Sequence, residues 1–116
     1  MRTFIASKIH GIRVTGKGVV YHGSVTVCRT LLAAAGIQPY EQVHVVNLRN
    51  GARWITYALP GEEGQFELNG GGARLGEIGD ECIVLAYQTA ATMKPASVVF
   101  VDERNRPADA MAYQHA

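Results

Sequence analysis

The sequence predicts a mainly β domain, and three observations carry that reading. Apolar and polar residues alternate over short runs, as in FIASKIHGIRVT, rather than at helical spacing. Turn residues bound those runs, most plainly at Asn50-Gly51. One segment alone, RTLLAAAG, has the composition of a good helix. A faint repeat adds to this. Gly36, Glu41, Val43 and Val45 recur 40 residues later as Gly76, Glu81, Ile83 and Leu85. In each copy a glycine closes a turn or short helix, and a strand starts soon after. Two similar halves fit a small barrel, which removes free sheet edges.

Taken in order, FIASKIHGIRVT is a strand in which Gly11 marks a break or bulge. GVVYHGSVTVC continues as strand around Gly23, where a glycine signals a bulge or a close backbone approach. RTLLAAAG is the helix. Leucine and alanine favour it, Gly36 suits the position just past its end, and Pro39 prevents its continuation. EQVHVVNLRNGARWITYAL is a hairpin, with Asn50-Gly51 expected to form a type I′ turn. FELNGGGARLG passes from a short strand into a glycine cluster that reads as a flexible turn. ECIVLAYQ and ASVVFVDE are two more strands. The polar end, about 103–116, is expected to be a loosely docked or disordered tail.

The chain has 116 residues, enough for one domain with a single core. Its apolar share, 47%, excludes a disordered chain, and a formal charge of +1 gives no footprint for nucleic acid. No apolar run reaches the roughly 18 residues of a membrane span. The start, MRTFIASKIHG, lacks the apolar core and cleavage site of a signal peptide. Cys28 and Cys82 both lie in apolar runs, with no neighbour at zinc-ligand spacing. Reduced, buried thiols, no metal site and a cytoplasmic location are expected.

Four patterns then occur in fixed order: Lys8-x-His10, Tyr21-x-Gly23-Ser24, Asn50-Gly51-x-Arg53-x-x-Thr56-Tyr57-Ala58, and Asn69-Gly70. The stretches AAGI and IGDECIV accompany them. A Gly-Ser pair alone is weak; together, over all but the tail, these residues make the chain resemble the pyruvoyl-dependent aspartate decarboxylases. The resemblance implies a six-stranded double-psi β-barrel with one or two short helices. It implies a homotetramer of cleaved α/β protomers, with active sites between adjacent subunits. The implied reaction converts L-aspartate to β-alanine and CO2 through a Schiff base, for pantothenate synthesis. Neither a metal nor pyridoxal phosphate is implied, and the need for a maturation helper protein stays open.

The chemistry fits these residue types. Loss of an α-carboxylate leaves electrons on carbon, and side chains are poor electron sinks, so a carbonyl cofactor is needed. In the family, a serine oxygen attacks the preceding glycine carbonyl, the amide becomes an ester, and elimination leaves a pyruvoyl group at the new N-terminus. The resemblance makes Ser24 the pyruvoyl precursor and Gly23 the end of fragment 1–23, with 24–116 as the α-chain. Glycine leaves that carbonyl unhindered. Thr56 is implied as the donor to the Gly23 carbonyl and as a substrate contact, and Tyr21 lies close to the same chemistry. Tyr57 is implied as the proton donor to the carbanion, although it follows Thr56 and so faces the other side of an ideal strand. Arg53 is implied as the carboxylate clamp, with Lys8 and His10 near the substrate and Asn69, Gly70, Gly71 and Gly72 holding the site.

Ordinary readings stand beside each role. Threonine is a common strand residue, buried tyrosines are often structural tethers, and a strand arginine beside a turn is usually solvated. The chain also departs from the family pattern. Cys28 and Thr30 replace commonly acidic residues, Val46 replaces a tryptophan, and Gly71 and Gly72 replace alanines. Val46 and the glycines bear on the strictness of aspartate preference. Two other readings therefore accompany aspartate decarboxylation: the same chemistry on a β-substituted aspartate such as 3-methylaspartate, and a non-catalytic barrel serving as a binding module.

Overall fold

The structure is a computed structural model and describes residues 1–18 and 23–113. Its elements are β1 (Arg2–Arg13), β2 (Gly16–Gly18), β3 (Ser24–Cys28), α1 (Arg29–Ala35), β4 (Gln42–Asn47), β5 (Arg53–Gly61), β6 (Phe66–Asn69), a 3₁₀ helix (Gly70–Leu75), β7 (Glu81–Ala90), β8 (Ala96–Val101) and β9 (Pro107–Tyr113). The fold is mainly β, as expected. The strands pair in the order β2-β6-β3-β5-β4-β7-β1-β8-β9. Among the described residues this is nine strands rather than six, and no pairing joins the two ends of the order. The short β2 and the edge strand β9 account for part of the excess.

Local chemistry explains several elements. β1 pairs with β7 on one side and β8 on the other. Its register slips between His10 and Ile12, where Gly11 takes φ +95° and supplies the expected bulge. Helix α1 buries Leu31, Leu32 and Ala35 and ends at Gly36, with φ +72°. The Gly36 N–H donates to the Ala33 carbonyl at 3.2 Å and Ile37 N–H to Leu32 at 2.9 Å, which satisfies two terminal carbonyls. The expected tail carries β9, which pairs antiparallel with β8 while its side chains stay largely exposed.

Two sequence expectations need correction. The β4–β5 hairpin forms, but its turn is not type I′, which needs left-handed φ at both central residues. Gly51 has φ +75°; Asn50 is not left-handed. The loop is longer, residues 48–51, closed by Gly51 N–H on the Asn47 carbonyl and Asn47 N–H on the Ala52 carbonyl, both at 2.8 Å. The repeat also fails in detail. Glycine and strand recur, but Val43 and Val45 are buried whereas Ile83 and Leu85 are only half-buried. The buried residues of β7 are Cys82, Val84 and Ala86. A one-residue slip exchanges the faces of a strand, so the two copies are not equivalent in packing.

The core gathers Ile9, Ile12, Val25, Val27, Leu31, Val43, Val45, Phe66, Leu68 and Val84. Cys28 and Cys82 are free and buried within it. Burial, then the neighbouring Asp80 and Glu81 charges, pushes the Cys82 thiol up to about 12.

A buried polar node fastens this core to the loops. The Asn47 side chain donates to Asp80 Oδ2 at 2.8 Å and to the Leu75 carbonyl at 3.1 Å. Asp80 also accepts from Arg49 Nε at 2.7 Å and from the Glu77 N–H at 2.8 Å. The Arg49 hydrogen bond, with those from Asn47 and Glu77, holds the Asp80 carboxyl well below the usual carboxylate range, against its desolvation. Because the folded pKa is depressed, this stabilisation is complete above the ordinary value near 3.9 and fades as pH falls through it. Asp80→Ala removes a buried acceptor from Asn47 and is expected to cost about 1–3 kcal/mol at neutral pH. Urea unfolding is the check, and the gap between wild type and variant should narrow at acid pH.

Candidate active site

Ser24 opens β3 and is 1% exposed. In the antiparallel β3–β6 pair it lies opposite Asn69, while Thr26 lies opposite Glu67. The Asn69 amide Nδ2 donates to Ser24 Oγ and to Thr26 Oγ1, each at 3.0 Å. A strand turns alternate side chains to one face, so Ser24 and Thr26 both present their hydroxyls to Asn69. Gly23, the residue before Ser24, is exposed; among the described residues a Cβ there would meet nothing within 4 Å. Glycine places no Cβ of its own beside the carbonyl that Ser24 would attack. Tyr21 lies outside the described residues.

The glycines after Asn69 form an ordered 3₁₀ helix, not the flexible turn that their composition suggests. Gly70, at φ +62°, turns the chain out of β6. Gly71 has open space around a hypothetical Cβ, whereas at Gly72 that atom would stand 2.9 Å from Trp54 Nε1. The Trp54 N–H is buried and has no hydrogen-bond partner among the described residues.

On β5, Thr56 lies opposite Val43 and Tyr57 opposite Gln42, so their side chains take opposite faces. No bulge brings them together. β3 runs parallel to β5 with Val25 beside Ala58, which sets Ser24 and Tyr57 at one level, each a residue earlier. The Tyr57 ring stacks on Tyr40, 6.2 Å between centroids.

Arg53, Lys8 and His10 occupy the outer face of the sheet. The Arg53 guanidinium donates to the Tyr87 hydroxyl at 2.7 Å and lies 3.4 Å from His44 Nδ1. Lys8 Nζ donates to the Tyr113 hydroxyl at 3.4 Å. His10 packs on Phe100, and its Nδ1 is buried without a partner among the described residues. Tyr87 is on β7, and β4 and β5 separate it from β3. With neighbouring strands about 4.8 Å apart, the guanidinium is anchored on the order of 14 Å from the Ser24 strand, measured along the sheet. The expected site residues thus fall into two groups. One is Ser24 with Asn69 and Gly70–Gly72; the other is Arg53, Lys8 and His10.

Thr26, His44, Trp54 and Tyr87 were not singled out in the sequence. Thr26 had a usable signal, its two-residue spacing from Ser24. The others acquire their roles only through cross-strand register. Among the described residues, no three His, Cys, Asp or Glu side chains cluster as a metal site, and no helix is long and apolar enough to cross a membrane.

A methyl added at Gly72 would press on the edge of the Trp54 indole. Gly72→Ala should destabilise the fold by about 1–3 kcal/mol, the usual cost of overpacking. Trp54→Phe, which trims the indole edge, should recover most of that loss. Thermal unfolding of both single variants and the double variant measures the coupling.

Comparison with known proteins agrees with this geometry. The sequence profile described as aspartate decarboxylase matches residues 1–108. The aspartate 1-decarboxylase of Trichormus variabilis is 47% identical over 118 aligned residues, covering 97% of this chain and 93% of that protein. Aspartate 1-decarboxylase 2 of Gloeobacter violaceus is 50% identical, covering 91% and 90%. The aspartate 1-decarboxylase of Pyrobaculum islandicum is 50% identical, covering 84% and 79%. With the Ser24–Asn69 pair, the adjoining open glycine and matches across nearly its whole length, the chain belongs to the aspartate decarboxylase family.

Proposed function

We propose that this chain cleaves itself at Gly23–Ser24 and then converts L-aspartate to β-alanine and CO2, supplying pantothenate synthesis in the cytoplasm. The supporting observation is the buried Ser24 hydroxyl, engaged by the Asn69 amide and preceded by a glycine, which has no Cβ to hinder attack. The relatives' shared name, aspartate 1-decarboxylase, favours aspartate over a β-substituted analogue and an enzyme over a binding module. The family's double-psi barrel is the proposed closed form of the sheet.

In maturation, Ser24 Oγ bonds to the Gly23 carbonyl carbon, the Gly23–Ser24 C–N bond breaks, and the Oγ proton passes to the freed nitrogen. Loss of the Ser24 Cα proton then expels the Gly23 carboxylate from Cβ. The remaining enamine takes up water and releases ammonia, leaving a pyruvoyl group at residue 24. An N–H on Oγ stabilises negative charge as it develops there, the same role that Thr56 is assigned at the Gly23 carbonyl. When formed, the pyruvoyl group supplies the electron sink that decarboxylation needs.

The remaining roles belong to this chain's side chains. Arg53 holds the substrate side-chain carboxylate with its planar fork, and Lys8 adds positive charge. Tyr57 delivers a proton to carbon. His10, Thr56, Asn69 and Gly70–Gly72 shape the pocket. Arg53 and Lys8 are directed away from Ser24 within one protomer, which supports an active site shared between subunits of a homotetramer. The exposure of Tyr40 (74%), which stacks on Tyr57, and of Ile55 (58%), on the same strand face as Arg53, supports burial of this face against another copy.

Intact-mass analysis tests maturation. The wild-type chain should resolve into fragments 1–23 and 24–116, and Ser24→Ala should stay whole; an uncleaved wild type after long incubation, with cell extract present, overturns the proposal. Arg53→Lys tests the clamp. Cleavage should proceed normally because it needs no substrate. kcat/KM for L-aspartate should fall about tenfold to a hundredfold, the usual loss on weakening a charge-assisted pair. Near-wild-type kcat/KM would place the carboxylate elsewhere.

A further inference from the structure

We propose that Tyr87 is a positioning residue for substrate binding: its hydroxyl accepts a hydrogen bond from the Arg53 guanidinium and holds that cation extended across the sheet before the substrate carboxylate arrives. The inference rests on the carboxylate-clamp role proposed for Arg53 and extends it to a residue outside the expected site.

Register brings the two residues onto one face. His44 lies opposite Ile55 on β5 and opposite Leu85 on β7. Arg53 stands two residues before Ile55 and Tyr87 two residues after Leu85, so both share the face of His44. The Arg53 side chain crosses β4 and donates to the Tyr87 hydroxyl at 2.7 Å. Composition fixes the direction of that bond: a guanidinium has donors and no acceptor, so the phenol oxygen must accept. His44 Nδ1, 3.4 Å from the same guanidinium nitrogen, is too distant to be the main anchor. Its ring instead packs edge-on against Tyr87, 4.8 Å between centroids at 61°. β7 pairs with β4 on one side and β1 on the other, so the phenol rises from a strand fixed at both edges.

The anchor matters because Arg53 is exposed, and an untethered surface arginine samples many rotamers. A carboxylate that binds such a side chain must first restrict it. The phenol removes much of that freedom in the free protein. It engages one terminal nitrogen and leaves the N–H groups of the other two nitrogens for the substrate. Phenylalanine at this position would keep the ring and its packing on His44 and remove only the oxygen. In the proposed reaction the bonds change at residue 24 and the proton comes from Tyr57, whereas Tyr87 acts on how Arg53 meets the carboxylate. Its effect should therefore fall on KM and not on kcat.

Steady-state kinetics on fully cleaved protein compare wild type, Tyr87→Phe, Arg53→Lys and the double variant, with L-aspartate as substrate. Circular dichroism and thermal melts establish that each is folded. Tyr87→Phe should raise KM about threefold to tenfold, the usual cost of immobilising one long side chain, with kcat within about twofold of wild type. In the Arg53→Lys background the same change should alter KM by less than about twofold, because the guanidinium that Tyr87 serves is gone. Where Arg53→Lys is impaired, an unchanged or lowered KM in folded Tyr87→Phe overturns the proposal. So does an equal rise in both backgrounds, which would make Tyr87 a general support of the fold. If the wild type does not act on aspartate, or Arg53→Lys keeps wild-type kcat/KM, the clamp reading fails separately. The positioning claim is then read by NMR of the Arg53 guanidinium nitrogens, assigned by their loss in Arg53→Lys. Rotation about the Cζ–Nε bond should be at least about tenfold faster in Tyr87→Phe than in wild type, as expected on losing a hydrogen bond to a charged group; equal rates overturn the claim.

Discussion

The buried Asn47–Asp80 contact is the constraint on which the site depends most. Asn47 ends β4, Asp80 precedes β7, and the same Asn47 amide also holds the Leu75 carbonyl at the end of the 3₁₀ helix. At the other end of that helix, Asn69 is tied to β3 through Ser24 and Thr26. Trp54 fills the space beside Gly72 between them. A six-residue 3₁₀ helix containing three glycines has little intrinsic stability. Its order comes from these three attachments. An ordered segment here means that the Asn69 amide meets Ser24 in one defined geometry rather than in many.

Strand alternation imposes the second constraint. Adjacent residues on a strand face opposite sides, and β5 carries Thr56 and Tyr57 next to each other. One sheet cannot turn both toward a single point on one face. Arg53 is on the Tyr57 side, and its guanidinium reaches across β4 to Tyr87, away from β3. A decarboxylase needs the electron sink and the carboxylate clamp within the length of one small substrate. Sharing the site between copies, as proposed above, would meet those requirements without bending a strand.

Much of this fold was legible because its signals are local. Gly11 gave the bulge, Gly36 the helix end, and Asn50-Gly51 the hairpin, each from conformational preferences of one or two residues. The failures are non-local. Asn50 does not adopt the left-handed conformation of a type I′ turn because its side chain is used elsewhere, with Nδ2 on the Leu75 carbonyl and Oδ1 on the Ala52 N–H. The NGGG stretch reads as flexible until Asn47 and Trp54 are placed around it. The weakly patterned tail becomes β9 because β8 offers it an open edge. Ser24, Asn69 and Arg53 were singled out through the family pattern. Thr26, Tyr87 and His44 depend on register, which the sequence does not display.

The partners of the two outer-face cations bear on the carboxylate-binding role proposed for them. Arg13, Arg29, Arg49 and Arg106 each pair with a carboxylate, and Lys17 pairs with Glu77. Arg53 and Lys8 are held differently: among the described residues their polar partners are uncharged, the hydroxyls of Tyr87 and Tyr113, with His44 beside Arg53. A carboxylate partner would oppose an arriving acid, because binding would first have to break an ion pair. A phenol hydroxyl orients the cation without neutralising it. The hydrogen bond from cation to phenol carries charge on the donor side only, whereas a carboxylate acceptor brings the opposite charge as well and, at arginine, a bidentate fit. Tyrosine also restricts the long side chain before substrate arrives, so less conformational freedom is lost on binding. On the proposed reading, neutral tethers on both cations, rather than their positive charge alone, suit this face to a carboxylate.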